Sequence, residues 1–257
     1  MQHLLCVILA QGFIYVKKVY SVILFHKFFI CIYLSVIMLT SFLKPDWFLG
    51  WDIFFELVFF LITIFVSFFA FKIYLLCKNN KVRVLSSGFF FIALAYLWLM
   101  LADISAFFVL RSDLPLALKF LNVSNLFNLG IYLYMIFFIM GLCILAFLTF
   151  KEHSVSVFTL IVIPPYLALI FSFHKLLWFF LYSAFMVGFL IFYYFKTYSS
   201  NHQKNTLYLF WGFACILCSM FIFALGAMHS LLFFIGYLVE FIGYLFILLS
   251  LVKVIKK

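Results

Sequence analysis

Charge is what this sequence has least of. Of its 257 residues only 9% are charged, while 70% are hydrophobic and mean hydropathy is +1.32. Soluble domains carry roughly a quarter of their residues as charges. The chain is therefore an integral membrane protein with one membrane domain and no room for a second, soluble one. Cysteine is also unhelpful for chemistry. Cys6, Cys31, Cys77, Cys143, Cys215 and Cys218 all lie in or next to apolar runs, and none forms a pair in an outer loop, so no disulfide framework is expected. Cys215 and Cys218 form a C-x-x-C without a second ligand pair and read as buried apolar thiols.

Other absences narrow the function. A retinal protein needs a lysine within its last helix, and here that helix has none before Lys253 at its end. Membrane zinc hydrolases need several histidines on facing helices, whereas only His174 and His229 fall on the outer side. Paired buried histidines for a b-type haem are lacking. So are a G-x-S-x-G elbow and a phosphate-binding loop. No cofactor is expected. The net charge of +10 would suggest nucleic acid in a soluble protein. Here the basic residues lie in short loops and at helix ends, so membrane topology explains them and no nucleic-acid partner is expected. The 42 phenylalanines read as bulky apolar residues placed against lipid.

What is present is a series of apolar runs. Seven spans are expected at about 52–77, 83–109, 125–150, 154–173, 175–198, 205–227 and 230–254, each near the roughly 20 residues that cross ~30 Å of hydrocarbon. The fold class is all-α, a seven-helix transmembrane bundle. The longest loop is expected at about 110–124. Residues 1–43 hold two further apolar runs, broken by Lys17-Lys18 and His26-Lys27, and read as a signal peptide, a signal anchor or an extra helix. Residues 44–257 form the seven-span domain. Pro164-Pro165 should kink or break the fourth span. Asn122-Val-Ser124 matches a glycosylation acceptor.

Positive charge sets the orientation. Lys72, Lys78, Lys81, Arg83, Lys151, Lys196, Lys204, Lys253, Lys256 and Lys257 fall on one side, and Lys44, Arg111, Lys119 and Lys175 on the other. That asymmetry places the C-terminus inside and residues 44–51 outside, with the cell membrane as location.

Against this background the buried polar residues stand out. Glu240 is the one acid of the last span, with Gly236 four residues before it, Gly243 three after and His229 eleven before, all on one helical face. Such a carboxyl must face the bundle interior, and the glycines let another helix come close. The first span carries Asp52, Glu56, Thr63, Ser67 and Tyr74 on one stripe. The second carries Tyr96 and Asp103 seven apart, and the third Asn125, Asn128 and Tyr132. With the orientation above, Glu56, Asp103, Asn125, Asn128 and His229 lie in the outer half, and Glu240 about 15 Å below the outer end of its helix. Three carboxyls with so little positive charge cannot all remain ionised in a low-dielectric bundle. The residues leave open a proton, a metal or other cation, or a cationic ligand. They equally fit neutral acids that hydrogen-bond between helices and specify packing.

The run from Phe55-Glu56 through the basic loop Lys78–Arg83, with the ending His229…Gly236-Tyr237…Glu240…Gly243-Tyr244…Lys253, resembles the seven-span sensor modules that precede prokaryotic histidine kinases and cyclases. The likeness covers span number, orientation and loop length over about residues 50–257, and it carries no residue roles. In that family an output domain follows the last helix, whereas this sequence stops at Lys257, so the resemblance implies a stand-alone module acting through a membrane or cytoplasmic signalling partner. The expected function is a non-enzymatic sensory or receptor-like protein that binds a proton, cation or small ligand in an outward-facing polar cavity, with Glu240 at its centre and Glu56, Asp103, His229, Asn125 and Asn128 around it. A small proton- or cation-coupled transporter is the second reading. Thr63, Ser67 and Tyr74 offer it a thin inward path, but no inverted repeat between the halves supports it. A membrane-embedded lipid-modifying enzyme using the carboxyls is the third.

Overall fold

The computed structural model of the chain describes residues 50–111, 116–150, 154–172, 175–226 and 230–255, all within the compact unit Lys44–Lys257. The expectations for residues 1–43 and for His229 fall outside these residues. Seven helices are described: α1 Trp51–Cys77, α2 Asn80–Arg111, α3 Leu116–Thr149, α4 Val155–Phe171, α5 Lys175–Asn201, α6 Lys204–Gly226 and α7 Ser230–Ile255. Six of them are long and apolar enough to cross a membrane, and α4, at 17 residues, is shorter. By helical rise it spans about 25 Å.

Only two to five residues separate successive helices, so consecutive helices run antiparallel. α1, α2, α3, α5, α6 and α7 form a closed ring in which each helix touches the next and α7 returns to α1. α4 lies outside the ring against α3 and α5. Between two apolar surfaces in lipid there is no hydrophobic gain, so helices associate through close packing and buried hydrogen bonds. Glycine provides the first. A Cβ on Gly141 would lie 2.8 Å from the carbonyl oxygen of Gly88, which brings α2 and α3 into backbone contact. A Cβ on Gly243 would lie 2.9 Å from the carbonyl oxygen of Gly212, and α6 meets α7 in the same way. Serine provides the second between α1 and α2. Ser67 Oγ donates to the Ser86 carbonyl and Ser86 Oγ donates to the Ser67 carbonyl, each at 2.9 Å.

Three expectations change. The long loop at 110–124 is mostly helix, because α2 runs to Arg111 and α3 starts at Leu116. Pro115 precedes that start, and from Leu116 onward neither glycine nor proline interrupts the helix before Gly130. Of the kink or break expected at Pro164-Pro165, the break is absent, since α4 is continuous from Val155 to Phe171. Pro165 has no N–H to offer the Ile161 carbonyl one turn earlier. Tyr182 of α5 supplies the missing donor, its hydroxyl reaching that carbonyl at 2.8 Å. Cys218 is exposed on α6 and Cys77 at the end of α1, so only Cys143 of the four described thiols is fully buried.

Candidate functional site

Glu240 lies near the middle of α7, and α7 is wedged between two kinds of neighbour. Its glycine side faces α6, where Gly236 meets the Phe223 ring and Gly243 meets the Gly212 carbonyl. Its tyrosine side faces α1 and α2. There the Tyr237 ring stacks on Phe55 and Phe59 at 5.4 and 6.0 Å between centroids. The Glu240 side chain leaves the seam between these sides and meets Tyr96 of α2.

The contact is a hydrogen-bond chain. The Tyr96 hydroxyl donates to Glu240 Oε1, and the Tyr96 and Tyr244 hydroxyl oxygens are 2.8 Å apart. A phenol has one proton to donate. If Tyr96 gives its proton to Glu240, Tyr244 must donate to Tyr96, so the chain is directional, Tyr244 to Tyr96 to Glu240. Aromatic rings close around it. Tyr96 packs against Phe59, Tyr134 and Phe138 at 5.3, 6.0 and 6.2 Å, and Tyr244 packs against Phe59 at 5.5 Å. Tyr134 of α3 closes another side, its ring 5.5 Å from both Phe138 and Phe179.

The remaining candidates sort by depth. Asp52, Glu56, Asp103 and Glu240 are buried, at 1%, 0%, 6% and 7% exposure. Asp52 sits at the start of α1, where its Oδ1 accepts the backbone N–H groups of Gly50 and Ile53, each at 2.9 Å. Asp103 lies two turns beyond Tyr96, toward the Trp51 end of the bundle. Asn128 is exposed on α3, outside the enclosed cluster. The side chain of Asn125 and the whole of His229 fall outside the described residues. Toward the opposite end, Thr63 Oγ1 donates to the Phe59 carbonyl at 2.7 Å, followed by the Ser67–Ser86 pair.

The sequence reading singled out Tyr96 but missed Tyr134, Tyr237 and Tyr244. The signal for two of them was available, since Tyr237, Glu240 and Tyr244 follow at steps of three and four on one helical face. Among the described residues no group of three or more His, Cys, Asp or Glu side chains is placed to hold a metal ion. No described protein family, curated protein or solved structure is significantly similar to this chain.

Proposed function

We propose that this multi-pass membrane protein is a proton-responsive, non-enzymatic switch whose titrating centre is Glu240. The observation that carries the reading is the buried Tyr244–Tyr96–Glu240 chain. A carboxylate at Oε1 accepts from Tyr96, whereas a protonated carboxyl can donate, which reverses the chain and alters the fit of α7 against α2. A proton thereby favours one packing over another, and the shift in population equals its differential affinity for the two. In this reading the proton reaches Glu240 from outside, past Glu56, and the repacking of α7 is passed to a membrane or cytoplasmic partner.

Thermal unfolding in detergent across pH tests it. The wild-type midpoint should depend on pH, and Glu240→Gln should remove that dependence while still unfolding cooperatively. A midpoint profile shared by wild type and mutant would make Glu240 a packing residue and end the proposal.

A further inference from the structure

The ring repeats itself. α1 and α5 are both 27 residues long. Each ends in a residue with positive φ, Lys78 at 49° and His202 at 47°. The Lys78 N–H donates to the Tyr74 carbonyl at 2.7 Å and the His202 N–H to the Tyr198 carbonyl at 2.8 Å. The next helix starts two residues later in both cases, and Gly88 stands as far into α2 as Gly212 stands into α6. α1 buries Phe55, Phe59, Ile62, Val66 and Ala70. The positions that correspond by the same shift in α5 are Phe179, Ser183, Met186, Leu190 and Tyr194, and all are buried. The crossing of Gly88 with Gly141 is matched by that of Gly212 with Gly243. The helix contacts obey the same exchange. α1 touches α2 as α5 touches α6, α2 touches α3 as α6 touches α7, and α1 touches α7 as α3 touches α5. Two three-helix units, α1–α3 and α5–α7, therefore run in the same direction through the bundle, with α4 between them.

This duplication supplies an internal control for the polar residues. Where the first unit has Glu56, Thr63, Ser67 and Tyr96, the second has Phe180, Val187, Ile191 and Met220. Where α7 has Glu240 and Tyr244, α3 has Phe138 and Leu142. At these six positions one unit carries carbon where the other carries a hydroxyl or carboxyl, the polar residues being shared between α1, α2 and α7; elsewhere the exchange runs the other way, with Ser183, Tyr194 and Ser219 buried where the first unit has Phe59, Ala70 and Ala95. Packing alone does not require the polar set. It forms one face: Asp52, Glu56, Thr63 and Ser67 are buried along about 22 Å of α1, with Glu240, Tyr96 and Tyr244 beside them at mid-membrane. Sites at mid-membrane on the boundary between structural repeats are where carriers hold their cargo.

We propose that this polar seam between α1, α2 and α7 conducts protons from one face of the membrane to the other. The inference rests on titration at Glu240 and adds that the proton leaves by a different side. The transfer balances. A proton accepted by Glu240 makes it a donor to Tyr96 as Tyr96 donates to Tyr244, and the proton that Tyr244 gives up leaves by way of the Thr63, Ser67 and Ser86 hydroxyls for water at the Lys78 end, each hydroxyl turning away from the backbone carbonyl it now serves. Each passage moves one proton, and rotation of the hydroxyls restores the starting chain. Between α3 and α5 the Lys175 ammonium meets the Tyr132 hydroxyl and Cys143 Sγ lies 3.8 Å from the Tyr182 hydroxyl, but neither helix carries a carboxyl.

The test is proton flux into proteoliposomes holding the full chain, read with an entrapped pH dye under a potassium diffusion potential. Wild type should exceed protein-free vesicles by at least tenfold. Tyr96→Phe and Thr63→Val, the latter installing the residue the second unit carries, should each lose most of that flux. Ser183→Ala, in α5 and outside the seam of α1, α2 and α7, should keep it. Wild-type flux at the protein-free level overturns the pathway, as does undiminished flux in both Tyr96→Phe and Thr63→Val. A pH-dependent unfolding midpoint that Glu240→Gln abolishes would, in the absence of flux, leave the switch standing and the pathway refuted.

Discussion

Tyr96 occupies the middle of the hydrogen-bond chain, so its hydroxyl serves two partners while Tyr244 serves one. Removing a buried partner costs the desolvation of whatever is left unpaired, about 1–3 kcal/mol. Tyr96→Phe strands both Glu240 and Tyr244. Tyr244→Phe removes its own polar atom and leaves Tyr96 still bonded to Glu240. We expect Tyr96→Phe to lower unfolding free energy by about 2 kcal/mol and Tyr244→Phe by about half as much. Unfolding by denaturant in mixed micelles measures both, and a larger loss for Tyr244→Phe would contradict the central place of Tyr96 in the chain. At this scale the sequence was legible where a residue was out of place. A lone acid in an apolar helix must be accounted for, and Glu240 is indeed buried. Tyr134 was not legible, and Tyr237 and Tyr244 only by their spacing from Glu240, because a tyrosine in a membrane helix is as much at home at the lipid interface as in the core.

Among elements, α4 shows how a neighbour compensates for sequence. Proline is expected to kink or break a helix because it removes a backbone donor. What the sequence cannot display is a donor arriving from another helix, and here Tyr182 brings one to the Ile161 carbonyl. A double-mutant cycle exposes this dependence. Tyr182→Phe alone should destabilise by about 1 kcal/mol. In a Pro165→Ala background, where the alanine N–H can serve the carbonyl, the same change should cost little. Equal costs in the two backgrounds would show that the hydroxyl does not replace the missing donor. The helix positions themselves were largely readable, since apolar length marks a span. The turn between α2 and α3 was misjudged because polar residues such as Lys119, Asn122 and Ser124 look like loop when they occupy the end of a long helix. α3 is 34 residues, about 51 Å, and so exceeds the hydrocarbon thickness.

For the whole molecule, the ring and its repeat were hidden from the sequence. Besides Phe55 with Phe179, Lys72 with Lys196, Tyr74 with Tyr198 and Gly88-Phe89 with Gly212-Phe213, the identities at the same shift are all phenylalanine, leucine or isoleucine, such as Phe65 with Phe189, Leu57 with Leu181 and Ile92 with Ile216. In a chain this rich in phenylalanine, such matches carry little information until burial and contacts align them. A search for inverted halves also asks for the wrong symmetry when both units run the same way.

The edge position of α4 has a consequence of parity. A unit of three crossings ends on the opposite side from where it began, so a second unit fused directly to it would be inserted upside down. One extra crossing corrects the count, and α4 sits outside the ring with contacts only to α3 and α5 among the main helix pairs. Its sequence should therefore be replaceable, but its existence should not. Cysteines substituted at Lys78 and at His202 report the outcome by labelling with an impermeant reagent. In the intact chain both should be labelled from the same side. Deleting α4 should put them on opposite sides, and inserting an unrelated apolar helix of about 20 residues in its place should bring them back together.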